Sequence, residues 1–342
     1  MLGARALTAQ CRFRKRAKAG TLRFMKQPLL LCAAMMGLCA AAPAPAPAPA
    51  LAPVEIVTAS PAADWAPIAP ADLLVMDLAP DAKGAMRRVV IQLLPPPFSQ
   101  GWIGNIRKLA DAHWWDDTSI NRVQDNYVVQ WGDPDGEDKA KAKPLPAGLK
   151  VVPQGEYVSS RVAYAKDEAS VSASMRLLSL ARNDIYGEAG FLDGWPVASE
   201  DNAGSNVWPV HCYGTVGVGR DYPPDTGSGA ELYAVIGQAP RQLDRNIAVV
   251  GRVIEGMEHL SSLPRGTGDI GFYKTAAERA PITAIRNGPD VPGLPRYEYL
   301  STESASFARY ADARANRRDA FYIRPAGGAD ICNVPVPVRR AK

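Results

Sequence analysis

The feature that most constrains this chain is a series of short apolar segments, rich in Val, Ile and Leu, that are separated by Gly and Pro. Short apolar runs bounded by turn residues predict β-strands. Segments with helical spacing are few, and they do not alternate with the strands as a doubly wound α/β sheet requires. The pattern therefore predicts a mainly β protein, with the strands closed into a barrel that helices cap.

The strand and helix predictions follow the chain. Segments 73–78 and 87–94 flank a turn-like stretch and predict a hairpin. A helix follows Ser99, a candidate N-cap, and one strand at 120–134 ends at a proline. The region that follows is long, irregular and charged, with one helix-like segment at 172–182. Later strands are predicted at 214–221, 230–240, 247–256 and 280–288, with a short helix at 257–264 and a tail helix at 303–316.

The N-terminus predicts an export signal. Seven basic and no acidic side chains precede Met25, an alternative start, and an apolar run of 14 residues covers 29–42. The run is too short for a stable membrane span, so we interpret 1–42 as a basic extension with a secretory signal peptide. Cys32 and Cys39 follow Leu, where a lipoprotein signal needs a small residue, so lipid anchoring is not expected. The chain is expected to be periplasmic or secreted.

An Ala-Pro repeat at 43–54 is predicted to be a semi-rigid extended spacer, because proline fixes φ and lacks an N–H group. Without 1–42, the chain has 31 basic and 35 acidic side chains, a formal net charge of −4. Nucleic-acid binding, which depends on basic side chains at phosphates, is not expected. The remaining cysteines, Cys212 and Cys332, are candidates for a disulfide that ties the tail to the body, if they lie close enough.

The letters D-T-G-S at 225–228 raise the question of an aspartic protease. That chemistry needs two carboxylates that share a proton, and the sequence holds no second Asp-Thr-Gly or Asp-Ser-Gly. Asp225 remains a remote alternative that requires a homodimer to supply the partner carboxylate. A Gly-rich turn before a strand is the simpler interpretation.

The sequence offers no metal, nucleotide or serine-nucleophile motif. His113, His211 and His259 lie in different segments without metal-ligand spacing. The glycines of 214–219 are not followed by a helix that could bind phosphate, and no G-x-S-x-G motif occurs. No cofactor is expected.

Two blocks of sequence agree with one family in order and spacing. The block 88–134 contains R-V, an aromatic residue, Q and G-D-P, and the block 214–263 contains A-P, L-D and "VVGRVIEGM". They resemble the two halves of cyclophilin-type peptidyl-prolyl cis-trans isomerases, over about residues 73–290. The resemblance implies a closed eight-stranded antiparallel β-barrel capped by two helices, with an enlarged insertion at 135–213 and a C-terminal extension at 291–342.

The reaction that the resemblance implies is rotation about the bond preceding proline. Amide resonance opposes this rotation, and a fixed donor at the prolyl nitrogen binds the twisted amide better than either ground state. Arg122 falls on the family's catalytic arginine and Gln130 on the glutamine that holds the substrate backbone. Strand alternation predicts that Val128 and Gln130 share one face, opposite Val129. The family's proline-enclosing positions fall on Tyr127, Val128, Tyr233 and Leu243.

Four positions depart from the family's pattern. Gln242 replaces a frequent aromatic residue and Ile247 a frequent histidine, so cyclosporin binding is expected to be weak. Arg220 replaces Asn and Glu231 replaces Gln, and these two are candidates for a charged pair across the substrate groove. Two functions stay open: an isomerase that acts on proline-containing segments of unfolded or exported proteins, and a non-catalytic peptide-binding or chaperone module on the same barrel.

Overall fold

The strands of this chain form one closed barrel and two smaller sheets. The computed structural model describes residues 50–136, 138–160, 184–200 and 206–342, all within the unit Ala48–Lys342. In chain order the strands are β1 (Trp65–Ile68), β2 (Leu73–Leu78), β3 (Arg87–Leu93), β4 (Ser119–Val123), β5 (Val128–Gly132), β6 (Ser159–Ser160), β7 (Glu188–Leu192), β8 (Trp195–Ser199), β9 (Asn206–Pro209), β10 (Thr215–Val218), β11 (Leu232–Val235), β12 (Val249–Glu255), β13 (Ala280–Asn287), β14 (Tyr297–Leu300) and β15 (Val338–Arg340).

The α-helices within the same residues are α1 (Pro53–Thr58), α2 (Gln100–Asp111), α3 (Glu258–Ser261) and α4 (Ala305–Ala315). Short 3-10 helices cover Ala62–Asp64, Pro70–Asp72, Gln154–Tyr157, Arg241–Leu243, Asp269–Gly271, Ala276–Glu278, Gly288–Asp290 and Ile331–Asn333.

The barrel has the strand order β10, β11, β5, β4, β13, β2, β3, β12, and β12 pairs with β10 to close it. Its neighbouring strands are antiparallel, including the predicted hairpin of β2 and β3. Alternate side chains, such as Val129 and Trp131 on β5, fill the interior, while Val128 joins a separate cluster on the outside. The predicted closed eight-stranded barrel is confirmed.

Helices α2 and α3 pack beside barrel strands β13 and β3, respectively, and bury apolar side chains in the barrel core. Ser99 stands at the N-cap position of α2, but its φ is 53° and its side chain makes no capping bond. The carboxylate of Glu156 instead accepts a hydrogen bond, 2.8 Å long, from the backbone N–H of Gly101. Ser99 is therefore the N-cap residue by position, as predicted, but a distant carboxylate rather than its own side chain accepts from this helix end.

The single strand predicted at 120–134 was also wrong, because it folds as the hairpin of β4 and β5. The backbone N–H of Tyr127 donates to the carbonyl of Gln124, and Asn126 adopts a left-handed φ of 51°. Asp and Asn are common in tight turns, so the dipeptide Asp125-Asn126 was the turn signal within that segment.

The insertion at 135–213 holds regular structure where an irregular stretch was expected. Strands β6, β9, β8 and β7 form an antiparallel sheet in that order. Asp193 and Gly194 join β7 to β8, and both have positive φ, as a two-residue hairpin turn requires. The helix expected at 172–182 lies outside the described residues.

A second core forms where the insertion meets the two ends of the folded chain. Sheet β1–β14–β15 joins residues before the barrel to the C-terminal extension, and α1 packs on α4. Phe191 of β7 and Phe307 of α4 meet edge to face, with ring centroids 4.9 Å apart. A disulfide between Cys212 and Cys332 links the barrel side to the tail. The extension therefore shares a core with the insertion.

Helix α1 begins at Pro53, the first helical position, within the spacer expected to be extended. Proline is tolerated there because the missing N–H group would have no partner in the helix. The predicted signal peptide lies outside the described residues. Among the helices that the structure describes, none is long and apolar enough to cross a membrane.

Candidate active site

The guanidinium of Arg122, on β4, is held by acceptors from three parts of the chain. Its Nε donates to the carbonyl oxygen of Ile270 over 2.7 Å, and Nη1 donates to Oε1 of Gln130 over 3.2 Å. Nη2 donates to Oε1 of Gln124. All these acceptors are neutral, and within the described ranges Arg122 forms no salt bridge. The cationic charge is therefore fixed in place without being neutralised.

Two aromatic rings flank this cation. The guanidinium carbon of Arg122 lies 5.7 Å from the ring centroid of Tyr127 and 5.4 Å from that of Phe272. Burial lowers the pKa of Arg122, because removal of water disfavours the charged form. A guanidinium nevertheless stays protonated at neutral pH. The site thus holds a partly desolvated cation between aromatic faces.

An apolar patch, here called the outer cluster, lies outside the barrel next to Arg122. Val128, Tyr233 and Val235 are its buried members. Tyr127, Leu243 and Ile247 pack against them and are partly exposed. The structure thus brings together the four residues expected to enclose proline, and Ile247 with them. Val235 was missed, although it follows Tyr233 by two on the same strand and so shares its face.

Strand register places the polar and apolar parts of the site in one row. Arg122 on β4 is opposite Gln130 on β5, and Gln130 is opposite Tyr233 on β11. Tyr233 is in turn opposite Gly217 on β10. Directly opposed residues have Cβ atoms about 5 Å apart. A cation, an amide and an aromatic ring therefore succeed one another across three adjacent strands.

Gly217 leaves room for this ring. A Cβ atom built on Gly217 would collide with the hydroxyl and Cζ of Tyr233. The phenol therefore lies across the glycine, with its hydroxyl over this position.

Besides Arg122 and Gln130, three of the predicted site residues are not members of the outer cluster. Arg220 donates from Nε and Nη2 to the carbonyl of Asn246, over 3.1 and 2.9 Å. Glu231 directly precedes β11, and its carboxylate lies against Gly132. Gln242 is exposed in the middle of the Arg241–Leu243 turn. The charged pair of Arg220 and Glu231 across the groove remains a prediction.

The residues around the guanidinium that sequence reasoning missed are Gln124, Ile270 and Phe272. Gln124 is two residues from Arg122, so its proximity was readable from the sequence. Ile270 and Phe272 belong to a loop that forms an isolated bridge between Phe272 and Arg122. No local pattern indicates that contact, since it joins segments about 150 residues apart.

In the D-T-G-S segment, Asp225 lies on an exposed turn and Thr226 after it is buried. The carboxylate of Asp225 accepts backbone hydrogen bonds from Asp221 over 2.7 Å and from Gly227 over 3.1 Å. These hydrogen bonds stabilise the turn, and this is the structural role of the Asp225 carboxylate. Within the part of the chain that the structure describes, no group of three or more His, Cys, Asp and Glu side chains could hold a metal ion.

Residues 101–286, more than half of the chain, match the family model described as cyclophilin type peptidyl-prolyl cis-trans isomerase/CLD. Among solved structures, the chain is similar to cyclophilin AquaCyp293 from Hirschia baltica, with 19% identity and a TM-score of 0.57 over 81% of this chain and 94% of that chain. At this identity the similarity shows the fold alone.

A cyclophilin-type peptidyl-prolyl cis-trans isomerase from Cryptosporidium parvum, solved in the presence of the dipeptide Ala-Pro, shares 12% identity with a TM-score of 0.35, over 62% of this chain and 98% of that chain. A comparison with curated proteins found no match.

Proposed function

This chain belongs to the cyclophilin-type peptidyl-prolyl cis-trans isomerase family, and we propose that it is an active prolyl isomerase in which Arg122 is the catalytic residue. The observation that carries the proposal is the row of Arg122, Gln130 and Tyr233 across three neighbouring strands. The row sets a fixed cation beside the apolar outer cluster. Stabilisation of a twisted prolyl amide requires both, a donor for the nitrogen and an apolar surface for the ring.

Catalysis here needs no covalent bond to the enzyme. When the amide twists, resonance is lost and the prolyl nitrogen becomes a hydrogen-bond acceptor. A guanidinium has five N–H groups, and Arg122 engages three of them with Ile270, Gln130 and Gln124. The remaining two are the donors that we assign to the substrate. Because only the twisted amide offers the nitrogen lone pair, this interaction stabilises the transition state selectively.

Preorganisation explains why a cation held by neutral acceptors suits this task. The rings of Tyr127 and Phe272 exclude water from two sides, so a hydrogen bond from Arg122 is stronger than it would be in water. The outer cluster supplies the apolar surface for the proline ring. Gln130 both fixes the guanidinium and presents its amide to the substrate backbone.

The proposed substrates are proline-containing segments of unfolded or exported proteins. Their support is the sequence alone, in which a basic start and a 14-residue apolar run predict a signal peptide. Intact mass of the protein recovered from the periplasm and the medium tests export. Loss of an N-terminal segment that ends near residue 42 is expected, and a full-length cytoplasmic product would contradict it.

A protease-coupled assay on a prolyl peptide tests the activity. Arg122→Ala is expected to lower kcat/KM by about 100-fold, as removal of one transition-state donor does in other enzymes. Arg318→Ala is the matched control, because Arg318 and its partner Asp312 are both more than half exposed in the tail. Uncatalysed rates for both wild type and Arg122→Ala would refute the isomerase. Peptide binding without catalysis would then identify a non-catalytic binding module.

A further inference from the structure

Beneath the outer cluster, the hydroxyl of Tyr233 has a polar partner among the residues that the structure describes. It lies 2.9 Å from Nε2 of His211, a residue with 0% exposure in the connection from β9 to β10. The two rings are nearly parallel, at an interplanar angle of 11°. Burial raises the pKa of Tyr233 well above its ordinary value, so the phenol keeps its proton and can donate.

His211 is in turn fixed by Asp244. Oδ1 of Asp244 lies 2.9 Å from Nδ1 of His211. The same oxygen accepts a second hydrogen bond, 3.0 Å long, from the backbone N–H of His211. Burial opposes ionisation of Asp244, but the bonds from His211 and the charge of Arg241 outweigh it and lower its pKa. An ionised carboxylate can only accept, so Nδ1 of His211 carries a hydrogen, and in the neutral imidazole Nε2 then accepts from the hydroxyl of Tyr233.

The same carboxylate is anchored on its other side. Nε of Arg241 donates to Oδ2 of Asp244, and Nη1 of Arg241 donates to Oδ2 of Asp184, both over 2.7 Å. The side chains of these three residues are at most 5% exposed. Arg241 also opens the turn that carries Leu243, a member of the outer cluster. The buried hydrogen-bond network of His211, Asp244 and Arg241 therefore contacts the outer cluster at two places, Tyr233 and the turn that carries Leu243.

We propose that His211 is a positioning residue of the isomerase site, which holds the ring of Tyr233 in the outer cluster and is itself held by Asp244 and Arg241. The inference rests on the proposed function of the outer cluster as the proline site. His211 is fully buried and does not touch substrate, so it acts only through Tyr233. Its removal leaves a buried phenol without an acceptor, and the ring has to move or remain unsatisfied.

The test is a double-mutant cycle of His211→Leu and Tyr233→Phe, measured on the full chain. The Tyr233 ring is proposed to contact proline equally in the ground state and in the transition state. His211→Leu is therefore expected to raise both KM and the Kd of a prolyl tetrapeptide about tenfold, with little change in kcat. Tyr233→Phe alone keeps the ring but leaves Nε2 of His211 unpaired, so it serves as the reference background of the cycle and its own effect is measured separately. In the Tyr233→Phe background, His211→Leu is expected to cost little, because no hydroxyl is then left unpaired.

Two results overturn the proposal. One is a folded His211→Leu variant with unchanged KM and Kd, and the other is a double variant as impaired as His211→Leu. If His211→Leu does not fold, Asp244→Asn replaces it in the same cycle, since it keeps size and an acceptor oxygen.

A readout in the free protein separates this proposal from the proposed function. The NMR signal of an isotope-labelled Tyr233 ring is expected to shift and broaden in His211→Leu but not in His259→Leu, a variant on α3. An unperturbed ring signal overturns the positioning role even if the wild type proves to be inactive. An inactive wild type with a perturbed ring signal refutes the isomerase and leaves the positioning of Tyr233 established.

Discussion

Nη1 of Arg122 and Oε1 of Gln130 lie 3.2 Å apart across neighbouring strands of the barrel, and the two residues are register partners. Gln130 also faces the side where Tyr233 and Val128 form the outer cluster. One neutral amide therefore fixes the cation without cancelling its charge.

Gln130→Leu is expected to lower kcat/KM about tenfold. Leucine has similar size but offers no acceptor to Nη1 of Arg122 and no amide to the substrate, so the donor loses its orientation. The prolyl peptide assay measures the effect, with Gln238→Leu on an exposed turn as control. Equal rates for the two variants would show that Gln130 has no part in catalysis.

Arg122→Lys is expected to lower kcat by at least about tenfold while the positive charge is retained. A lysine has a single head group and cannot reproduce the fork that reaches Ile270, Gln130 and Gln124 together. Steady-state kinetics separate kcat from KM. A lysine variant as fast as wild type would mean that charge alone suffices.

Gly217→Ala is expected to weaken peptide binding several-fold and to destabilise the fold by about 1–3 kcal/mol, because the added methyl collides with the Tyr233 phenol. Gly104→Ala is the matched control, since a Cβ on this helical glycine meets nothing within 4 Å. The control is expected to be neutral or slightly stabilising. Denaturant unfolding and peptide titration measure both, and identical behaviour of the two variants contradicts the packing argument.

Cys332→Ser is expected to reduce the free energy of unfolding by about 2–5 kcal/mol. The disulfide with Cys212 closes a loop across a sequence separation of 120, which restricts the unfolded chain. Denaturant unfolding of wild type with and without reductant gives the comparison, and the reduced wild type is expected to match the variant. A midpoint that does not respond to reductant would exclude a stabilising bond.

Acid is expected to weaken the link between the turn that follows α2 and strand β13. Arg286 donates two hydrogen bonds to Asp116, over 2.6 and 2.7 Å, and thereby lowers the pKa of Asp116. A carboxylate with a lowered folded-state pKa stabilises the fold at neutral pH, and this stabilisation is lost as pH falls below about 4. Unfolding of Asp116→Asn is expected to depend less on pH in that range than unfolding of wild type. Identical slopes would contradict the assignment.

Much of the barrel was predictable because buried strands and helices show a characteristic spacing of apolar residues in the local sequence. The short apolar runs marked the barrel strands, and helical spacing marked α2, whose apolar residues enter the core. The family spacing drew attention to Arg122, Gln130 and all the residues of the outer cluster except Val235. Where local signals were overlooked, as at Asp125-Asn126 and Asp193-Gly194, the predicted strand and the predicted irregular stretch were wrong.

For most of the barrel strands, the sequence by itself determined which segments form them and which of their residues face inward, since alternation depends only on neighbouring positions. Only the tertiary structure decided that Phe272 flanks Arg122, that Glu156 closes the start of α2 and that His211 lies under Tyr233. Each of these contacts joins segments that meet when the barrel closes and the insertion packs against it. Periodicity reports the burial of a side chain, but it carries no information about which distant partner buries it.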